Sequence, residues 1–162
     1  MKAASAVNIQ IIRARSPEEI AAVRELIQEY AHTLPVDLNY QNFQAEISNF
    51  PGAYSEPLGA LFLARQNSEF LGCVALRPHS VDIAELKRLY VRPTARGHNL
   101  GRLLTEAAIH AARSAGYRAI YLDTLPSMAT ARALYETLGF QSVPAYYPGA
   151  PTGTAFLGLN LT

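Results

Sequence analysis

Three observations predict a mixed α/β (α+β) fold, a sheet flanked by helices. Helix-period segments lie near the start of the chain, and three period-two segments joined by short turns fill its middle. A long helical stripe then leads into a buried-type strand. At 162 residues, 49% hydrophobic and 17% charged, the chain suits one packed domain over residues 1–162 and not a disordered segment.

The elements follow in order. Asn8 to Arg13 reads as a first strand. Ser16-Pro17-Glu18-Glu19 forms a capping box with proline at the first helical position, so a helix begins there. Its apolar set, Ile20, Val23, Leu26, Ile27 and Tyr30, runs out before Leu34-Pro35. A shorter helix is expected from about Asn39, with Phe43, Ile47 and Phe50 on one face and Pro51-Gly52 ending it. Leu58 to Arg65, Phe70 to Arg77 and Asp82 to Val91 read as an antiparallel meander with turns at Asn67-Ser68 and near His79-Ser80.

In the last of these strands Leu86 and Leu89 are three apart, so strict alternation sends them to opposite faces. A β-bulge between them would turn both to the core and leave backbone groups unpaired for a ligand. Leu100, Leu103, Leu104, Ala107, Ala108, Ala111 and Ala115 make one helical stripe, stopped by Gly116. Arg118 to Thr124 is a strand. Ser127 is positioned to cap a helix carrying Met128, Ala131, Leu134, Tyr135 and Leu138, with Gly139 as a left-handed cap and Phe140 packed back on Tyr135. Phe156 to Leu161 is the last strand.

Composition removes several function classes. A formal net charge of +1 gives no field that gathers nucleic acid or an anionic membrane. No apolar run approaches the roughly 20 residues of a membrane span, and the single cysteine, Cys73, permits no internal disulfide or cysteine metal cage. The histidines have no metal-ligand spacing. A cytoplasmic protein without a metal is expected. The charge is uneven, however: Lys87, Arg88, Arg92, Arg96 and Arg102 fall between Leu86 and Thr105, where no Asp or Glu occurs. A local anion site is implied.

That stretch, LKRLYVRPTARGHNLGRLL, has the layout of a phosphate cradle: strand, proline-led turn, glycine-containing loop, helix. A helix N-terminus offers unpaired N–H donors and partial positive charge, and Gly97 and Gly101 allow close approach. The bland alternative is an ordinary strand-to-helix connection. The loop lacks a Gly-Lys-Ser/Thr end, and no G-x-G-x-x-G follows the first strand, so a P-loop and a dinucleotide fingerprint are excluded.

Leu89-Tyr90-Val91-Arg92-Pro93 followed by Arg96-Gly97-His98-Asn99-Leu100-Gly101 resembles the acetyl-CoA motif of the GCN5-related N-acetyltransferases (GNAT). Ala131 to Phe140 resembles that family's next motif, and the resemblance spans about the whole chain, strongest from Glu85 to Phe140. DLNYQ and ELKRLYVRP also look like one bacterial branch of small-molecule acetyltransferases. The resemblance implies a central, mixed, mostly antiparallel, splayed sheet and transfer of acetyl from acetyl-CoA directly to a primary amine. It implies that the backbone of Leu89, Tyr90 and Val91 meets the pantetheine arm, and that Arg96, Gly97, His98, Asn99, Leu100, Gly101 and Arg102 take the pyrophosphate. Two positions depart from the family pattern: Asn99 replaces a usual glycine, although asparagine tolerates a left-handed backbone, and Met128 replaces an asparagine that touches the cofactor.

Within that resemblance the Leu89 N–H is an oxyanion donor. Tyr135, with an ordinary pKa of about 10, is the acid for the departing thiolate; otherwise it is a core aromatic. Glu85 is the candidate base, or else a partner in an ion pair with Lys87. Asp37, Gln41 and Tyr147 border the acceptor pocket, with a structural role as the alternative. The acceptor is a small-molecule or peptide amine, and a homodimer is the assembly the family implies. Two other functions stay open: a non-catalytic acyl-CoA-binding regulatory module, and an interaction domain without a cofactor.

Overall fold

The computed structural model describes residues 8–162. Its sheet has seven strands in the order β1-β2-β3-β4-β5-β7-β6: β1 (Ile9–Arg13), β2 (Ala60–Gln66), β3 (Glu69–Pro78), β4 (Ile83–Val91), β5 (Ala119–Thr124), β6 (Gln141–Ser142) and β7 (Ala155–Asn160). Every neighbouring pair is antiparallel except β4 and β5, which run parallel. Helix α1 (Pro17–Thr33) packs against one face with α2 (Phe43–Ser48), and α3 (Leu100–Ser114) against the other with α4 (Ala129–Thr137).

Alternation along β2 sorts the two cores. Ala60, Phe62 and Ala64 join the cluster under α3, while Leu61 and Leu63 join the cluster under α1. Each fully buried leucine of this kind, such as Leu63 or Leu104, contributes roughly 1.5–3 kcal/mol by leaving water. Cys73 is fully buried in the α1 core, and burial pushes its thiol up to about 12. It acts as a small apolar group.

The helix ends follow local chemistry. Ser16 and Glu19 complete the capping box of α1. Gly139 (φ 99°) ends α4 in a Schellman motif: Phe140 N–H donates to the Tyr135 carbonyl at 3.1 Å, Gly139 N–H to that of Glu136 at 3.1 Å, and the Tyr135 and Phe140 rings lie 5.6 Å apart.

Three expectations are corrected. The helix expected from Asn39 is broken in two, a 3-10 turn over Leu38–Gln41 and then α2, because Asn42 takes a left-handed backbone at φ 58°. Met128, not Ser127, occupies the N-cap of α4, and no side chain caps it. The buried stripe of α3 includes Thr105 and Ile109, whereas Leu103 is 40% exposed and Ala115 lies beyond the helix on the surface. Thr105 is tolerated there because its hydroxyl donates to the Gly101 carbonyl at 2.7 Å. Strand β6 carries no sequence signal, being two residues long. No helix among the described residues is long and apolar enough to cross a membrane.

Candidate active site

Two features of β4 build the site. The first is the bulge: Cys73 pairs with Tyr90 and Ala75 with Lys87, so β4 carries one residue more than β3 across this interval. Arg88 absorbs the irregularity with φ 62°, a conformation that disfavours residues other than glycine and asparagine. Leu86 and Leu89 then both pack on the α3 core, as their spacing required. Gly72 permits this register, because a Cβ there would lie 2.6 Å from the Tyr90 carbonyl oxygen.

The second feature is the parting of β4 from β5. Their ladder covers only Ile83↔Ala119, Ala84↔Ile120 and Glu85↔Tyr121, while β4 continues to Val91. From Leu86 onward the edge of β4 that faces β5 has no ladder partner, and this fork opens two depressions. One is a long groove lined by Leu89, Tyr90, Val91, Arg96, Gly97, Asn99, Leu100, Gly101 and Arg102 with residues of α1 and α4. Of the predicted cofactor residues only the His98 side chain stands outside it.

The groove fits a diphosphate on its own evidence. Among the described residues, no amide from Gly97 to Arg102 donates within the chain; the first α3 bond is Leu103 N–H to the Asn99 carbonyl at 3.1 Å. Gly97 (φ 92°) and Asn99 (φ 62°) take left-handed conformations of the kind found in anion-binding backbone concavities, and nothing lies within 4 Å of a Cβ at Gly97. The basic stretch is less free than its sequence implies. Arg88 pairs with Glu46, Lys87 with Asp123, Arg92 with Glu29 and Arg102 with Glu106. Among the described residues Arg96 alone of the five has no ion-pair partner.

The second depression is smaller and holds Tyr40, Gln41, Lys87, Arg88, Asp123 and Tyr135 among its walls. Tyr30, Leu89, Met128 and Ala131 line both depressions, which therefore meet at the bulge. Tyr135 is 5% exposed; burial raises its pKa, Tyr30 and Asp123 add to this, and no hydrogen bond contributes. At neutral pH it holds its proton.

A buried polar network backs this wall. The Gln41 amide oxygen accepts from Arg88 Nη1 at 2.7 Å and from Lys87 Nζ at 3.0 Å, and its nitrogen donates to Asp123 Oδ2 at 2.9 Å. The Tyr147 hydroxyl also donates to Asp123. Burial lowers the pKa of Lys87, and the neighbouring Arg88 lowers it further. Burial likewise opposes the charge of Arg88, but the Glu46 carboxylate more than reverses this and the net shift is upward.

Glu85 and Asp37 stand elsewhere. Glu85 is buried behind Lys87 and lines neither depression; Arg77 Nε donates to its Oε1 at 2.9 Å and the Tyr146 hydroxyl to its Oε2 at 2.8 Å. Asp37 is exposed and caps the 3-10 turn, accepting from Asn39 N–H at 2.9 Å. The carboxylate that does line the smaller depression is Asp123, which the sequence presents as the end of a strand and a cap for the helix start near Ser127, with a catalytic role as the lesser alternative. Lys87 was visible as part of the basic stretch and as an ion-pair partner for Glu85, not as a wall of this depression.

The family model described as "Acetyltransferase (GNAT) family" matches residues 20–140. An uncharacterized N-acetyltransferase of Schizosaccharomyces pombe is 34% identical over 157 residues, covering 96% of each chain. Among solved structures, a GNAT acetyltransferase of Staphylococcus aureus superposes with a TM-score of 0.76 at 22% identity, over 95% of this chain and 99% of that one. An acetyltransferase of Salmonella typhimurium, solved with acetyl-CoA, gives 0.68 at 20% identity, over 95% and 94%. The chain belongs to the acetyltransferase (GNAT) family and is an N-acetyltransferase whose cosubstrate is acetyl-CoA.

Proposed function

We propose that the amine enters the smaller depression and is acetylated where it meets the groove, at the β4 bulge. The observation that carries this reading is the shared lining, Tyr30, Leu89, Met128 and Ala131, since an acyl donor in one depression and an acceptor in the other must touch there. Acetyl-CoA supplies an activated thioester carbonyl.

The chain's own residues divide the work. The amides from Gly97 to Arg102 bind the diphosphate, and the free edge of Leu89 to Val91 orients the arm between diphosphate and thioester. The Leu89 N–H stabilises charge developing on the carbonyl oxygen, worth roughly 3 kcal/mol for a single donor. Asp123 holds the acceptor nitrogen and takes its proton. Tyr135 hands its hydroxyl proton to the leaving sulfur and sits in apolar surroundings that keep it protonated. Glu85 is a positioning residue, holding Arg77 and Tyr146 and lying 3.8 Å from Lys87.

Free-thiol release from acetyl-CoA over a panel of amines, with parent, Asp123→Asn and Tyr135→Phe proteins, tests this assignment. Both variants are expected to lose at least about 100-fold in kcat. Unchanged turnover in either would remove that residue's role. A panel in which no amine releases thiol, despite a thermal shift with acetyl-CoA, would favour a regulatory acyl-CoA-binding module. A ligand at about 100 times its Kd adds roughly 2.7 kcal/mol of apparent stability.

A further inference from the structure

The wall of the acceptor depression contains an arrangement that transfer to an amine does not by itself require. One neutral oxygen, Gln41 Oε1, receives hydrogen bonds from two buried cations, Arg88 at 2.7 Å and Lys87 at 3.0 Å. Convergent charged donors of this kind suit an anionic oxygen better than an amide carbonyl. On the other side of the same amide, Gln41 Nε2 donates to the Asp123 carboxylate at 2.9 Å. Only this orientation of the amide satisfies all three neighbours, because Lys and Arg have no acceptor and an ionised Asp has no donor.

The Gln41 side chain thus presents, in neutral form, the pattern of a free amino acid: an oxygen toward two cations and an N–H toward a carboxylate. Resting on the acetyl-transfer reading above, we infer that the acceptor is a free amino acid or similarly short amino carboxylate. Its carboxylate takes the seat of Gln41 Oε1 between Lys87 and Arg88, and its amine faces Asp123.

Three further observations support this. Lys87, Arg88, Asp123 and Gln41 all line the depression that reaches Leu89. Gln41 Oε1, which faces the two cations, and Gln41 Nε2, which faces Asp123, are bonded to the same carbon, so a carboxylate and an amine in these seats are separated by only a few atoms. The Gln41 side chain comes from a single 3-10 turn (Leu38–Gln41) outside the sheet, where it can yield its place without breaking a strand pairing.

The test compares amino acids with their carboxamides and with the corresponding decarboxylated amines, for example alanine, alaninamide and ethylamine, across a range of side chains. The acids are expected to exceed both controls by about 10- to 100-fold in kcat/KM, the effect of hydrogen bonds to a charged group. Carboxamides or simple amines that match the acids would overturn the inference while leaving acetyl transfer intact. A second measurement needs no turnover: in the presence of CoA, N-acetyl amino acids should raise the melting temperature and N-acetyl amino amides should not. Equal shifts, or none with either class, count against the inference. If N-acetyl amino acids bind selectively but no amine is acetylated, the catalytic reading fails and this one stands. In Lys87→Met the acid-to-carboxamide ratio should fall toward one; if that protein does not fold, the two comparisons on the parent protein decide.

Discussion

Arg88 grips Glu46 through two parallel hydrogen bonds, Nε to Oε2 at 3.0 Å and Nη2 to Oε1 at 2.9 Å, from a backbone turned to φ 62°. Both side chains are nearly buried, so the pair ties α2 to the bulge of β4 and holds an unfavourable backbone in place. The Phe43 ring, 5.2 Å below the guanidinium, completes the clamp.

This pair makes stability depend on acid. Burial would raise the pKa of Glu46, but hydrogen bonds and charge from Arg88 outweigh it and the folded value lies below 4.5. The contribution is therefore fully present above the unfolded value and is lost as pH falls through the lower folded one. Glu46→Gln should be less stable at pH 7 by about 3–5 kcal/mol, because Arg88 is left buried without its partner. Its stability should also fall less than the parent's between pH 5 and 3. Urea denaturation of both proteins across that range measures the difference, and parallel curves would refute the assignment.

Tyr135→Phe should separate turnover from structure. The hydroxyl has no hydrogen bond to lose among the described residues, so the melting temperature should hold to within about 0.5 kcal/mol of stability while kcat drops. Calorimetry beside the thiol-release assay would show whether the two effects part company.

Gly97→Ala addresses the cradle. A Cβ at this position meets no atom within 4 Å, so any effect comes from the backbone, where φ 92° costs a residue with a side chain about 1–2 kcal/mol. Affinity for CoA, measured by titration calorimetry, should weaken by roughly 5- to 30-fold with little change in the acceptor KM.

Gly72→Ala addresses the bulge from the opposite strand. Its Cβ would stand 2.6 Å from the Tyr90 carbonyl oxygen and 3.3 Å from the Val91 Cα, and β3 and β4 would have to separate. Overpacking of this kind costs about 1–3 kcal/mol. Because the shift falls beside Leu89, the KM for acetyl-CoA should rise along with the loss of stability.

Much of this molecule was legible in one dimension because its signals are local. Ser16 and Glu19 cap α1, Gly139 and Phe140 close α4, and the three-residue spacing of Leu86 and Leu89 announced an irregular strand. The turn at Gly97 and Asn99 was likewise readable, since its left-handed conformations belong to the backbone. The wall of the smaller depression was legible only in part: the family resemblance put Gln41 beside a pocket, but Asp123, Gln41 and Lys87 come from β5, a 3-10 turn and β4, and their meeting depends on where β5 leaves β4. Glu85 and Lys87 share a strand parity, and periodicity could not tell which one borders open space. The break at Asn42 escaped for a related reason: asparagine interrupts a helix only when its surroundings select the left-handed state.

The brief contact between β4 and β5 has a mechanical consequence. Four strands on one side and three on the other are joined by three backbone pairings, so apart from the two pairings of the short edge strand β6 the seam has the fewest rungs in the sheet. A thioester arm lying along Leu89 to Val91 would act as an extra, removable strand there, stitching the two blades together while it is bound and releasing them when it departs.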